Sequence, residues 1–185
     1  MDTLCPQSRG LSAETNISPS MASFNLFFTG RDDPRHCMLI GEDTTPRFFC
    51  FETERHVHGA RTTVISSNNQ VASLFFGPSN RLESVTIGNR AQVPLELLSP
   101  GSSPNARSFF SADGRKFEWR KNGNDAYDLY ALNPPIVRIA AFRRYSEETP
   151  VGRCTGLLQY TFAQDGLLLY SLVTLCLNRW VDTVF

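Results

Sequence analysis

The sequence predicts a mostly β fold: a closed antiparallel barrel of about twelve strands around a buried, hydrophobic C-terminal helix. Three observations lead there. From Phe24 onward, short apolar or alternating runs follow one another, split by turn residues and without a helical period. The last segment, Gly166 to Val184, differs: Leu, Tyr, Val, Cys and Trp occupy every side of a helical wheel. A helix that is apolar all round has to be enclosed on all sides. Third, about fifteen helical residues are roughly 22 Å long, close to the height of a sheet of five- to eight-residue strands. Closing the sheet around that helix also removes its free edges. The competing parse makes the segment one more strand of a sandwich, because Val173 and Thr174 are β-branched.

Residues 1 to 23 are rich in Ser, Thr and Pro without apolar periodicity, and are expected to be a disordered tail to a single domain over 24–185. The runs that follow are FNLFF, CMLI, FFCFETE, RTTVIS, QVASLFF, ESVTI, VPLELL, RSFFSA, RKFEW, AYDLYAL, VRIAAFR and CTGLLQYTF. Their breaks carry Gly30, Gly41, Asn68-Asn69, Gly77-Pro78, Gly88-Asn89 and Pro134-Pro135. One hairpin has a predicted register. Asp113-Gly114 is a type I′ signal, since both residues tolerate φ > 0. A two-residue loop there pairs Phe110 with Phe117 and Ser108 with Trp119, which makes that face the core side. The other face then sets Arg107 opposite Arg120, Phe109 opposite Glu118, and Ser111 opposite Lys116.

Composition limits the function classes. The chain has 185 residues, 41% apolar and 19% charged, and its 18 basic residues balance 18 acidic ones. Zero net charge argues against a global electrostatic hold on nucleic acid. The opening MDTLCPQSRG holds no apolar run, so no signal peptide is expected. The five cysteines are odd in number and form no CxxC pair, which suits free thiols in an intracellular, cytoplasmic setting. The apolar run Leu167 to Leu177 is shorter than the roughly 20 residues of a membrane span, and Asn178, Arg179 and Asp182 close it off. It is expected to be a core helix and not a transmembrane segment. No GxxxxGK[ST], GxGxxG or GxSxG pattern is present, so no cofactor and no enzymatic role is expected.

The stretch NARSFFSADGRKFEWR resembles the central signature of an uncharacterised domain family common in mushroom-forming fungi. That signature is an aromatic strand, Asp-Gly with basic residues, and an aromatic-x-Trp strand. FETERHVHGARTTV is similar to the family's upstream strand-loop-strand, and PIVRIAAF and the apolar C-terminus follow in order. The likeness spans Phe24 to about Val181. More remotely, the family is similar to the tubby C-terminal-like group, which includes phospholipid scramblases and LURP-one-related proteins. That resemblance implies a twelve-stranded barrel around a C-terminal hydrophobic helix. It implies little about function, because one fold hosts many.

The first candidate site is an anion or lipid site on the outer face of the hairpin, made of Arg107, Lys116, Arg120 and Lys121. A facing Arg107–Arg120 pair repels, and bound phosphate would relieve it. Residues 101–145 hold eight basic and four acidic side chains. Tubby-like relatives bind phosphoinositide head groups, so the resemblance implies an anionic lipid partner at a membrane surface. The plain alternative is a solvated face neutralised by Glu118. A second candidate, Cys50, Glu52, Glu54, His56 and His58, contains metal-ligand types, but one strand face spreads them too widely to converge. A third is a Cys50 or Cys154 nucleophile paired with a His. The expected function is therefore a non-enzymatic binding module. The alternatives are a protein-interaction domain without a small ligand, and an enzyme with a dispersed site.

Overall fold

The computed structural model describes residues 22–41, 47–149 and 152–184. The expected tail lies outside the described residues except for Ala22 and Ser23, which are exposed.

The chain builds two antiparallel meanders. The first runs β1 (Phe24–Thr29), β2 (Cys37–Gly41), β3 (Phe48–His56), β4 (Gly59–Ser66), β5 (Asn69–Phe76), β6 (Leu82–Ile87) and β7 (Arg90–Gln92). A single helical turn, α1 (Pro94–Leu97), follows. The second meander is β8 (Ser99–Pro100), β9 (Ala106–Phe110), β10 (Lys116–Lys121), β11 (Ala126–Ala131), β12 (Val137–Thr149) and β13 (Gly152–Tyr160). Within each meander sequence neighbours pair, which short turns permit. The β4–β5 turn shows how: Ser67 and Asn68 both take positive φ, 50° and 63°, as a two-residue type I′ loop requires. One long-range ladder joins the meanders, β1 on β13, with Leu26 opposite Leu158 and Phe24 opposite Tyr160.

The resulting 13-stranded sheet wraps around α2 (Asp165–Val184). From Leu167 to Trp180 every residue but Leu169 is buried, and Leu172, Val173 and Leu175 are wholly inaccessible. Both meanders touch the helix. Phe76 of β5 packs on Trp180 with ring centroids 4.5 Å apart, and Trp119 of β10 donates its indole N–H to Thr174 Oγ1 at 3.0 Å. The buried Arg179 guanidinium lies 4.6 Å from the Phe142 ring and reaches Asp32 at 3.1 Å. Each fully buried Leu or Val of α2 contributes about 1.5–3 kcal/mol. The helix reading therefore holds, and the strand parse does not. By length and composition α2 could also cross a membrane, but 72% of its most apolar window is buried within the sheet.

Two expectations need correction. VPLELL is not a strand. Pro94 has no N–H for a ladder and sits in the first turn of α1, where none is needed. Leu97 plugs inward at 2% exposure while Leu95 stands out at 77%. Nor does the ladder close into a barrel. The terminal strands β7 and β8 pair on one side only, and α1 fills the seam between them, packed on β6 and β9. A helical turn satisfies its own backbone, so it breaks the hydrogen-bonded ring there while still covering the core.

Candidate functional site

The β9–β10 hairpin decides where the expected anion site goes. Its loop has three residues, Ala112-Asp113-Gly114, not two. The Ser111 N–H donates to the Arg115 carbonyl at 3.0 Å, and the Gly114 N–H donates to the Ser111 carbonyl at 2.9 Å. Gly114 sits at φ +77°, the left-handed residue that three-residue hairpins place after a turn. Asp113 secures the loop by accepting from the Ser111 hydroxyl and the Arg115 guanidinium. The register is thereby shifted by one residue: Phe109 faces Phe117 and Arg107 faces Trp119. A one-residue slip exchanges the two faces of a strand. Phe109 is accordingly buried and Phe110 is 47% exposed.

The four predicted residues do not form one site. Arg107 and Lys121 point inward with Trp119 and meet Asp182 of α2, at 2.8 and 3.1 Å. Arg107 also donates to Asn178 Oδ1 at 3.0 Å, and the Tyr127 hydroxyl donates to Asp182 at 2.7 Å. Burial works to raise the Asp182 carboxyl, but the bonds from Tyr127, Arg107 and Lys121 hold it below its ordinary value. Burial and then the Asp182 bond raise the Tyr127 phenol. Arg120 lies on the opposite face. It pairs with Glu118 at 2.7 Å and lies 4.1 Å from the Tyr130 ring centre. Glu118 is 1% exposed and accepts from the Ser102 N–H and hydroxyl at 2.6 Å. Lys116 is exposed, with its ammonium 5.8 Å from the Phe110 ring. The facing Arg107–Arg120 pair does not exist, and with it goes the reason for an anion there.

Cys50, Glu52 and Glu54 lie along β3, His56 ends it, and His58 sits in the following turn. The contacts within this set are Cys50 to Glu52 at 3.5 Å and His56 to Glu54 at 4.0 Å. Burial, then the Glu52 bond, push the Cys50 thiol up to about 11. The Cys176 thiol beside it, then burial, raise Cys37 well above its ordinary value. Thiols so raised are poor nucleophiles at neutral pH. Cys154 is buried, with its thiol against the Gly156 carbonyl at 3.3 Å.

A different side chain has the features of a binding group. Arg35 lies in the β1–β2 loop, residues 30–36. Asp33 shapes that loop by accepting the Arg35 N–H at 2.8 Å, and the Thr53 hydroxyl holds the Arg35 carbonyl at 2.6 Å. These bonds turn the guanidinium over Phe76 and Trp180, 5.2 and 5.3 Å from the two ring centres. Its Nε and Nη1 are buried and have no hydrogen-bond partner. The group lines an open cleft of about 420 Å³ with Arg55, His56, Val57, Pro78 and Asn80, a lining without a carboxylate among the described residues. Gly59 forms part of the wall: a Cβ there would lie 2.0 Å from the Phe76 carbonyl oxygen. A neighbouring cleft of about 460 Å³ holds Arg31, Arg144 and Arg153. There Arg144 is already paired with Asp32 and Asp125, and Arg153 is bonded to Ser146.

Nothing in the sequence marks Arg35. It is one arginine in DDPRH, and the rings beneath it come from β5 and α2. Only the folded sheet brings them together.

A family model described as a family of unknown function (DUF6593) matches residues 32–162, more than half of the chain. No curated protein and no solved structure matches the chain.

Proposed function

The chain belongs to the family of unknown function DUF6593, and from that premise we propose that it is a non-enzymatic binding module for a phosphate-bearing ligand of the anionic phospholipid class, held at Arg35. The observation that carries this reading is the buried, unpartnered pair of nitrogens on the Arg35 guanidinium. Arginine stays charged at any working pH, and desolvated donors without an acceptor are costly. A phosphate oxygen suits such a donor, since a charge-assisted bond to it is stronger than a neutral one. Arg55 and His56 line the same cleft and add donors. The raised Cys37 and Cys50 thiols and the helix-filled interior support binding over catalysis.

An intracellular setting belongs to the same proposal, supported by the free thiols Cys37, Cys50, Cys154 and Cys176. So does kinship with tubby-like proteins, supported by an antiparallel sheet wrapped around a C-terminal apolar helix. One observation favours a second reading, a protein-interaction domain: Val93, Leu95 and Phe110 are 51%, 77% and 47% exposed around the seam.

Trp180 lies against Arg35, so its fluorescence reports on the site. Titration with inositol trisphosphate at low ionic strength should change the emission. Arg35→Met keeps an unbranched apolar stem without the charge and should weaken binding by at least about tenfold, the loss expected for a charge-assisted contact. A wild-type protein whose emission ignores millimolar inositol trisphosphate would leave the interaction-domain reading as the better one.

A further inference from the structure

We propose that the seam between β7 and the β9–β10 hairpin accepts an extended segment of a partner protein as an added strand on β7, and that an acidic side chain of that segment meets Arg90 in the cavity there. This site is independent of Arg35. Every ladder of the sheet is antiparallel, so strand direction alternates along it. With thirteen strands, β7 and β8 at the two ends therefore run the same way. They cannot close on each other as an antiparallel pair, whereas one strand running against both would be antiparallel to each. β7 keeps an edge for such a strand. Gly88 and Asn89 form the two-residue loop between β6 and β7, so Ile87 and Arg90 are the hydrogen-bonded pair that closes the hairpin. Bonded and non-bonded pairs alternate, so the next residue, Ala91, turns its N–H and C=O away from β6 and into the seam. Among the described residues no strand pairs with β7 on that side.

The side chains beside Ala91 say what the guest carries. Arg90 and Gln92 stand opposite the buried Ile87 and Val85, so they lie on the inner side of β7. Both line an open cavity of about 200 Å³. Leu97 and Tyr170 are its buried lining residues, at 2% and 4% exposure, and the Tyr170 hydroxyl has no hydrogen-bond partner among the described residues. The Arg90 guanidinium reaches across the seam to the Ala112 carbonyl at 3.1 Å, a neutral acceptor. A carboxylate is the better acceptor, since a charge-assisted bond is roughly twice as strong as a neutral one. Asp113 is already held by Ser111 and Arg115, which leaves Glu96, on the cavity lining, as the carboxylate that opposes an acidic guest. Outside, Val93, Leu95 and Phe110 stand exposed around the seam. A strand points successive side chains to opposite faces. A guest that alternates apolar and acidic residues therefore sets its apolar groups outward beside these three and its carboxylates inward at Arg90. Strand addition takes its affinity from main-chain bonds and its specificity from such alternate side chains.

The test uses the full chain and short labelled peptides in which valine alternates with aspartate, asparagine or lysine, read by fluorescence anisotropy. The aspartate peptide should bind with Kd below about 1 mM, the asparagine peptide about fivefold more weakly, and the lysine peptide not at all. Methylating the valine nitrogens removes the donors aimed at Ala91 while keeping the side chains, and should abolish binding. Ala91→Pro removes the N–H on the β7 side. Proline is tolerated on an edge strand where its N–H serves no ladder, so this variant should unfold near the wild-type midpoint yet bind at least about fivefold more weakly. Ala91→Val keeps the N–H and should bind as wild type does. Glu96→Gln should tighten the aspartate peptide, and Arg90→Gln should erase the preference for aspartate over asparagine. An aspartate peptide that fails to bind at millimolar concentration would overturn the proposal. So would binding that survives methylation of the valine nitrogens, or equal affinity for the aspartate and lysine peptides. A wild type that dimerises in sedimentation velocity while Ala91→Pro stays monomeric would give the edge to a second copy of this chain and overturn the partner.

Discussion

Asp182 shows what a single carboxylate does at the end of α2. Tyr127, Arg107 and Lys121 donate to it from β11, β9 and β10, at 2.7, 2.8 and 3.1 Å. It thus ties the second meander to the core helix. Its carboxyl is held below the ordinary value despite burial. A depressed carboxyl contributes stability that is fully present above the unfolded value, about 3.9, and is lost as pH falls through the folded one. Urea unfolding across pH should therefore show an acid limb beginning near pH 4. Glu118, also held low despite burial by Ser102 and Arg120, adds to that limb with the same sign. Asp182→Asn should lower stability at pH 7 by about 1–3 kcal/mol and flatten part of the limb. A variant as stable as wild type at pH 7, with the same acid limb, would show that the three bonds carry no net stability.

The hairpin and the helix differ in how much of them could be read from sequence. The helix was legible because an all-round apolar wheel admits few homes, and the wheel needs no partner to be recognised. The hairpin was legible as a hairpin but not in register. Asp-Gly serves a two-residue loop and also the last two positions of a three-residue one, and adjacent Phe109 and Phe110 let either alternation present an aromatic face. The choice was made by contacts distant in sequence, above all Trp119 on Thr174 and Arg107 on Asn178 and Asp182. The facing Arg107–Arg120 pair expected from the two-residue loop is absent for that reason. Arg35 went unseen for a related one, since its defining neighbours lie on other elements. The register itself can be measured. Phe109→Ala should cost about 3–5 kcal/mol as a large core truncation, and Phe110→Ala, at 47% exposure, should cost well under about 1 kcal/mol. Chemical denaturation of the two variants decides it. The reverse ranking would restore the two-residue loop and the facing arginines.

At the scale of the whole molecule, two meanders held by one long-range ladder leave a gradient of support. β1 and β13 sit mid-sheet, each with a strand on either side, and the ladder between them is the one connection that local turns cannot make. The strands at the other extreme are short: β7 has three residues and β8 two, and each has one neighbour. Short edge strands limit unwanted pairing with other chains, and α1 covers the seam without extending the ladder. Opening should therefore begin at the seam, where few bonds have to break, and reach β1 and β13 last. Native-state amide exchange should follow that order. Amides of β7 and β8 should exchange fastest among the strands, protection should rise strand by strand, and β1 and β13 should approach the global unfolding limit. A ring of ladders would instead give each strand two neighbours and protection that varies little around it. If β7 and β8 exchange as slowly as β1 and β13, their backbones are paired in solution and the seam is no edge at all.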